Sequence, residues 1–175
     1  MSAHFQGSGP RSNAYSESKF THWAICDPFS AEGLTAYKRF DDRLSTSPLF
    51  PHIITLRPSA GFIHPCTRGQ VAHRLALMPP THIDGLRAVF LLAGRRKQER
   101  SWKSKLACYG FYWRRCVFLC AHPFDLGRHN LDSIRDLYLD DVLVHEVAHH
   151  VDRHRHVSHD KKENFAYGFV EQQPD

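Results

Sequence analysis

Residues 142–154 read VLVHEVAHHVDRH and belong to a long helical pattern in this chain of 175 residues. Apolar side chains recur at three- and four-residue spacing from Leu131 to Val151, which predicts a helix with a broad apolar face. Asn130 or Asp132 is placed to cap its first turn. The stretch is therefore predicted to lie on a helix that packs against the body of the protein.

Residues 145–149 match the pattern HExxH, with Glu146 directly after the first histidine. Residues four apart lie about 40° apart around a helix axis and one turn along it, so His145 and His149 could bind one ion. Neutral imidazole nitrogens suit Zn²⁺. Glu146 would project beside the same site and could accept a proton from water that the metal activates. The pattern predicts one catalytic Zn²⁺ with Glu146 as the base.

A catalytic zinc usually takes three protein ligands and leaves a fourth position open, so a third ligand is expected. Glu163 begins a run in which apolar residues recur at helical spacing up to Val170, which predicts a helix beside the first one. The Glu163 carboxylate would then face the metal. Other candidates for the third ligand lie in the same region: His156, His159, Asp152 and Glu171. The two histidines fall in a stretch that is typical of an exposed loop.

HExxH followed by a helix of the form ExxAxxF(A/V), here ENFAYGFV at residues 163–170, resembles the short-spacer gluzincins, a family of zinc peptidases. The resemblance covers about residues 135–172. It implies that His145, His149 and Glu163 bind the metal and that Glu146 is the general base. It also implies a zincin-like α+β fold, in which a small mixed sheet packs on the HExxH helix and a C-terminal helix carries the third ligand. The implied activity is zinc-dependent hydrolysis of a peptide or protein substrate.

Three further features carry weaker predictions. Tyr138 and Tyr167 are either core residues or hydroxyl donors that stabilise an oxyanion. Asp152 either orients a metal ligand or forms a surface salt bridge with a neighbouring arginine. Residues 111–120 form either an interior strand or the edge strand of a cleft, where an extended peptide could pair.

The remaining elements follow from hydrophobic periodicity and from turn residues. The predicted helices cover residues 31–44, 69–78 and 161–172, and the predicted strands cover residues 52–57, 86–92 and 110–120. Strands come early in the chain and two helices come last. This order predicts an α+β fold.

Composition indicates a single globular domain over residues 21–175 after a flexible leader at residues 1–20, which is rich in serine and lacks periodic apolar positions. The N-terminal sequence does not resemble a secretory signal and no apolar run is long enough to cross a bilayer, so a cytoplasmic location without membrane contact is expected. The 5 cysteines are an odd number without a CxxC pair, which favours free buried thiols over disulfides.

The alternative function is a non-catalytic module that binds a metal, a nucleic acid or another partner through the same histidine cluster. The chain has 14 histidines and a net charge of +5, and much of the basic excess lies at residues 95–105 and at Arg114 and Arg115. A solvated basic face is the ordinary meaning of such a stretch, so nucleic-acid binding is the less favoured prediction. Glu146 discriminates between the two functions, because a structural metal site needs ligands but no base beside them.

Overall fold

The computed structural model describes residues 28–44, 48–94, 109–124, 130–153 and 158–172. Six α-helices occur in these ranges: α1 (Pro28–Phe40), α2 (Arg68–Ala76), α3 (Pro80–Ile83), α4 (Leu131–Asp136), α5 (Leu143–Asp152) and α6 (His159–Glu171). Six strands occur there as well: β1 (His52–Thr55), β2 (Phe62–Ile63), β3 (Ala88–Leu91), β4 (Gly110–Trp113), β5 (Cys116–Leu119) and β6 (His122–Pro123). A 3₁₀ turn at Asp41–Arg43 follows α1.

The main sheet has four strands in the order β1-β3-β5-β4. β1, β3 and β5 are parallel, and β4 pairs antiparallel with β5. β2 and β6 form a separate antiparallel pair. Helices, a mixed sheet and a small second sheet together confirm the predicted α+β class.

Both faces of the main sheet are covered, which explains why every residue of β3 and β5 is buried. Side chains alternate between the faces along each strand. Val89 and Val117 point to the face that packs against α2, α5 and α6, which we call the α5 face. Phe90 and Phe118 point to the opposite face and pack with Tyr37 of α1, so we call this the α1 face.

The predicted strand over residues 110–120 is wrong as a single element, because it is a hairpin of β4 and β5. Arg114 and Arg115 form its turn with φ angles of 49° and 62°. Glycine and asparagine usually mark such left-handed turns, so two arginines gave no turn signal. The correction places β4 at the edge of the sheet within the described residues and places β5 in the interior.

The long helix predicted from Leu131 to Val151 is confirmed, with one irregularity. Residues Leu137–Val142 form a π-helical segment that joins α4 to α5 without a break. A π segment is a short, rare interruption of an α-helix, so the periodicity of the longer apolar pattern does not reveal it. Leu131, predicted to be part of the apolar face, is exposed.

The other predicted elements are confirmed with small shifts of their ends, whereas α3, β2 and β6 are too short for periodicity to show. The predicted leader at residues 1–20 lies outside the described residues. Among the described helices, none combines the length and the apolar character that a membrane span requires.

Cys66, Cys116 and Cys120 are free and buried, as predicted. Burial raises the pKa of Cys66 and of Cys116 to about 12, so neither thiol is a nucleophile at neutral pH. Cys26 and Cys108 lie outside the described residues.

Candidate metal centre

Two packed helices place the predicted ligands. His145 and His149 lie one turn apart on α5, and Glu163 lies on α6, which packs along α5. Ser158 caps α6 by accepting a hydrogen bond from the Lys161 amide. Buried Ala166 lies three residues after Glu163, so the same side of α6 meets the core and carries the carboxylate toward α5.

The three candidate ligand side chains converge on one point. The Nε2 atoms of His145 and His149 are 3.1 Å apart. The Glu163 carboxylate oxygens lie 3.3 Å from His145 Nε2 and 3.2 Å from His149 Nε2. Tetrahedral zinc with bonds of about 2.0–2.1 Å requires ligand atoms roughly 3.3 Å apart. The group therefore has the spacing and the donor atoms that such an ion needs.

The pKa values of Glu163 and His149 are shifted by contacts within the same group. Burial opposes ionisation of Glu163, but hydrogen bonds to His145 and His149 outweigh burial, so the pKa of this carboxyl lies well below its usual range. Burial also opposes charge on His149, yet its hydrogen bond to Glu163 and the charge of Glu146 raise the His149 pKa above its usual value. Without a metal, a proton on His149 thus compensates the Glu163 carboxylate.

Glu146 is buried beside these ligands, with a relative exposure of 7%. Its burial raises the pKa of the carboxyl, and the charges of His149 and His145 partly oppose that shift. The backbone amide of Tyr112 donates a hydrogen bond to Glu146. This amide points away from β5, because residues along β4 alternate between bonding β5 and facing outward. Edge strand β4 therefore orients the predicted base.

Gly110 allows β4 and α5 to approach so closely. A Cβ atom at this position would lie 2.7 Å from Val142 Cγ1 and 3.4 Å from Glu146 Cγ. The first distance is shorter than packed carbon atoms tolerate. The functional value of Gly110 was missed because its neighbours lie more than thirty residues away in sequence.

His150 is a buried residue that sequence reasoning placed only within a histidine-rich stretch. Its Nε2 donates to the Asp84 carbonyl oxygen at 2.8 Å, so its Nδ1 accepts a hydrogen bond from the Tyr112 hydroxyl at 3.1 Å. Burial lowers the pKa of His150 to about 4, which keeps the ring neutral. The residue joins α5 both to β4 and to the turn after α3, and so fixes the adjacent His149.

The other candidates for the third ligand differ in where they lie. Asp152 is fully buried and its charge helps to raise the pKa of His149, which contradicts a surface salt bridge and agrees with a role in supporting that ligand. His159 is the first residue of α6, with Nδ1 3.7 Å from the Glu163 carboxylate, so its predicted exposed loop is wrong. Glu171 is exposed at the far end of α6. His156 lies outside the described residues.

The two tyrosines also differ. Tyr138 is fully buried, and its ring packs edge-on against Tyr109, so it is a core residue. Tyr167 is 57% exposed, and its ring centroid lies 4.9 Å from that of His145. Tyr167 therefore borders the metal centre on the solvent side.

Comparisons with protein-family models, with curated proteins and with solved structures find no match. The described residues alone thus define the class of protein. It is an α+β protein in which a buried glutamate lies beside a His–His–Glu group that could hold a metal ion.

Proposed function

We propose that this chain is a zinc-dependent metallopeptidase with a zincin-like fold, similar to the short-spacer gluzincins. The observation that carries the proposal is the buried carboxyl of Glu146 beside the converging side chains of His145, His149 and Glu163. A small mixed sheet, an HExxH helix and a later helix that carries the third ligand are also what this resemblance implies.

Each residue has a defined task in this proposal. His145, His149 and Glu163 hold Zn²⁺, which when bound supplies a Lewis acid for the substrate carbonyl and lowers the pKa of water. Glu146 accepts the proton of the attacking water on its carboxylate and then donates it to the leaving nitrogen. The raised pKa of Glu146 suits both transfers, because it brings the carboxyl closer to neutral pH.

Strand β4 supports the choice of a peptide substrate. Its outward edge borders Glu146, which accepts a hydrogen bond from the Tyr112 amide, and an extended peptide could pair through main-chain hydrogen bonds with the edge beyond that amide. Tyr167 is exposed beside His145 and has a hydroxyl that could donate to a developing oxyanion.

The alternative is a metal-binding module without catalysis. Such a module would need the three ligands, but it gives no reason to place a carboxyl that is not a ligand in the field of all three. Removing a carboxylate from water costs free energy unless other groups compensate it. The burial of Glu146 therefore favours the peptidase.

The substitution Glu146→Gln tests the proposal with labelled casein as the probe. Glutamine keeps the volume but cannot accept the proton, so we expect unchanged zinc binding and a loss of hydrolysis on the order of 10²-fold or more. Glu171→Gln, which changes an exposed glutamate on α6, is the matched control and should resemble the parent. A Glu146→Gln chain that cleaves casein at the parental rate would refute the proposed mechanism.

A further inference from the structure

A second group of polar side chains lies at the turn of the β4–β5 hairpin, near the C-terminal end of α1. The residues that line this pocket of about 470 Å³ are Tyr37, Asp41, Arg87, Arg114 and Arg115. Three guanidinium groups meet one carboxylate there, so positive charge is in excess. None of these residues belongs to the His–His–Glu group.

The pocket already holds one carboxylate, which is that of Asp41. Arg87 Nη1 donates to the Asp41 carboxylate at 2.9 Å and to the Tyr37 hydroxyl at 2.6 Å. Arg87 Nη2 donates to the Leu44 carbonyl oxygen at 3.1 Å, which fixes the guanidinium in place. The Arg87 side chain is only 13% exposed. Arg87 is thus bound to groups of the protein itself, so the guanidinium groups that could meet a further carboxylate are those of Arg114 and Arg115.

Arg114 and Arg115 bring the pocket to three guanidinium groups against the one Asp41 carboxylate, which Arg87 binds and Arg114 also attracts. The Arg114 guanidinium lies 4.6 Å from the Trp113 ring centroid and 5.7 Å from that of Tyr37. Arg115 Nε donates to the Gly85 carbonyl oxygen at 2.6 Å. Within the described residues neither arginine forms an ion pair. Aromatic rings and a backbone oxygen thus orient two cations without cancelling their charge.

The backbone conformation of the turn is a second unusual feature of Arg114 and Arg115. Both arginines adopt left-handed φ angles of 49° and 62°. Residues other than glycine, asparagine and aspartate rarely adopt this conformation, and such outliers concentrate at functional sites. Glycine or asparagine would form the same turn with less strain, so arginine at both positions points to a use for the side chains.

The position of the pocket indicates what it binds. Tyr112, whose amide is bonded to Glu146, precedes Arg114 by two residues on the same hairpin. The pocket lies toward the α1 face, where Tyr37 packs, whereas Glu146 lies on the α5 face. Side chains of an extended chain alternate between the two faces and the chain rises about 3.3 Å per residue, so a peptide along the edge of β4 could pass Glu146 and place a side chain at the pocket a few residues further on. We propose that the pocket binds an acidic side chain of a peptide lying along β4, which rests on the proposed function because β4 borders the predicted base.

Nucleic acid fits the same pocket less well. Binding of nucleic acid draws its affinity from several phosphate contacts spread along a basic surface. Arg87, Arg114 and Arg115 converge on one pocket, and Asp41 lies within it. One carboxylate group matches this arrangement better than a row of phosphates does.

Fluorescence anisotropy with labelled peptides tests the proposal. The zinc-loaded Glu146→Gln chain serves as the receptor, so that the probe stays intact. The probes are a short peptide of alternating threonine and glutamate, its glutamine counterpart, and a single-stranded oligothymidylate. Loss of one charge-assisted hydrogen bond should weaken affinity about tenfold. We therefore expect the acidic peptide to bind about tenfold more tightly than the glutamine peptide.

Arginine variants locate the binding. Arg114→Gln and Arg115→Gln should each weaken binding of the acidic peptide about tenfold. Arg68→Gln removes the same charge from the exposed start of α2 and should change affinity by about twofold or less. Arg114 contacts the rings of Tyr37 and Trp113, whereas Arg115 donates to the backbone of Gly85, so Arg114→Gln remains informative if Arg115→Gln unfolds.

Three results would overturn the assignment: equal affinity for both peptides, an equal loss in Arg68→Gln, or tighter arginine-dependent binding of the oligothymidylate. Arginine-dependent binding of the acidic peptide in a chain whose parent hydrolyses nothing would contradict the proposed peptidase and leave the pocket standing. Hydrolysis by the parent together with unchanged peptide binding in Arg114→Gln would overturn the pocket alone.

Discussion

The candidate metal centre and the turn of the β4–β5 hairpin differ in how their charged groups are matched. At the metal centre, Glu163 lies 3.2–3.3 Å from both histidines, so acid and base stabilise each other before any ion binds. At the hairpin, Arg114 and Arg115 have like charges and are held by aromatic rings and a backbone oxygen. Groups of opposite charge can thus hold one another in place by sharing a proton. Groups of like charge must be held by contacts with other parts of the protein.

Removing the carboxylate should break the metal centre most severely. We expect Glu163→Ala to weaken zinc binding by more than about 100-fold, because loss of a direct ligand exceeds the 10–100-fold typical of a residue that only supports a ligand. A competition titration with a chromophoric chelator measures this. His159→Ala is the matched control, since His159 lies near Glu163 but outside the converging group. The opposite order of the two variants would assign the third ligand to His159.

A lower pH should weaken zinc binding, because of the pKa shifts of His149 and Glu163. Because the pKa of His149 is raised, this residue keeps its proton to a pH above the usual histidine value of about 6.5, and zinc must displace that proton. The pKa of Glu163 is lowered, so Glu163 stays ionised over the same range. We expect zinc affinity to fall as pH decreases from about 8 to 6, as calorimetric titration would show.

The stability of the metal-free protein should decrease as pH rises through the raised pKa of His149. The His149 contribution to the metal-free fold is fully present below about pH 6.5 and is lost as pH rises through the raised pKa. The increase in Tm that zinc produces should therefore grow with pH. An increase that is the same at pH 6 and pH 8 would show that His149 and Glu163 do not share a proton in the metal-free protein.

A substitution at Gly110 tests how closely β4 packs against α5. A methyl group there would meet Val142 Cγ1 at 2.7 Å and the Phe118 carbonyl oxygen at 3.1 Å. We expect Gly110→Ala to lower the free energy of unfolding by about 1–3 kcal/mol, as overpacking typically does. Urea denaturation measures the change.

Gly168→Ala supplies the control for that substitution. Gly168 lies within α6 with no atom within 4 Å of the added Cβ, so alanine should raise the free energy of unfolding by about 0.5–1 kcal/mol. Equal effects of the two substitutions would mean that β4 is not pressed against α5.

The sequence allowed prediction of the helices that carry the ligands, because their signal is local. Spacing of four residues places His145 and His149 together on any helix, and the apolar run after Glu163 predicts a partner helix. The structure brings these three residues together. The support for Glu146 could not be predicted, since Gly110 and Tyr112 reach it only after a strand and a helix distant in sequence have packed.

The turn of the β4–β5 hairpin could not be predicted from the sequence. Arg114 and Arg115 lie between two apolar, aromatic stretches and resemble the middle of one strand. Both residues adopt a left-handed conformation that arginine rarely takes, and the contact of Arg115 with the Gly85 carbonyl oxygen is distant in sequence. Burial of Tyr138 and exposure of Tyr167 were likewise undecidable, because both residues lie on apolar helices and only packing separates them.

X-ray absorption at the zinc edge, on the parent chain with one equivalent of Zn²⁺, tests the central claim most directly. The account predicts two imidazole nitrogens and a carboxylate oxygen at about 2.0–2.1 Å, with no sulfur. The Glu163→Ala chain should lose this spectrum. Sulfur scattering at about 2.3 Å, or a spectrum dominated by three or more imidazoles and unchanged in Glu163→Ala, would contradict the His145–His149–Glu163 site.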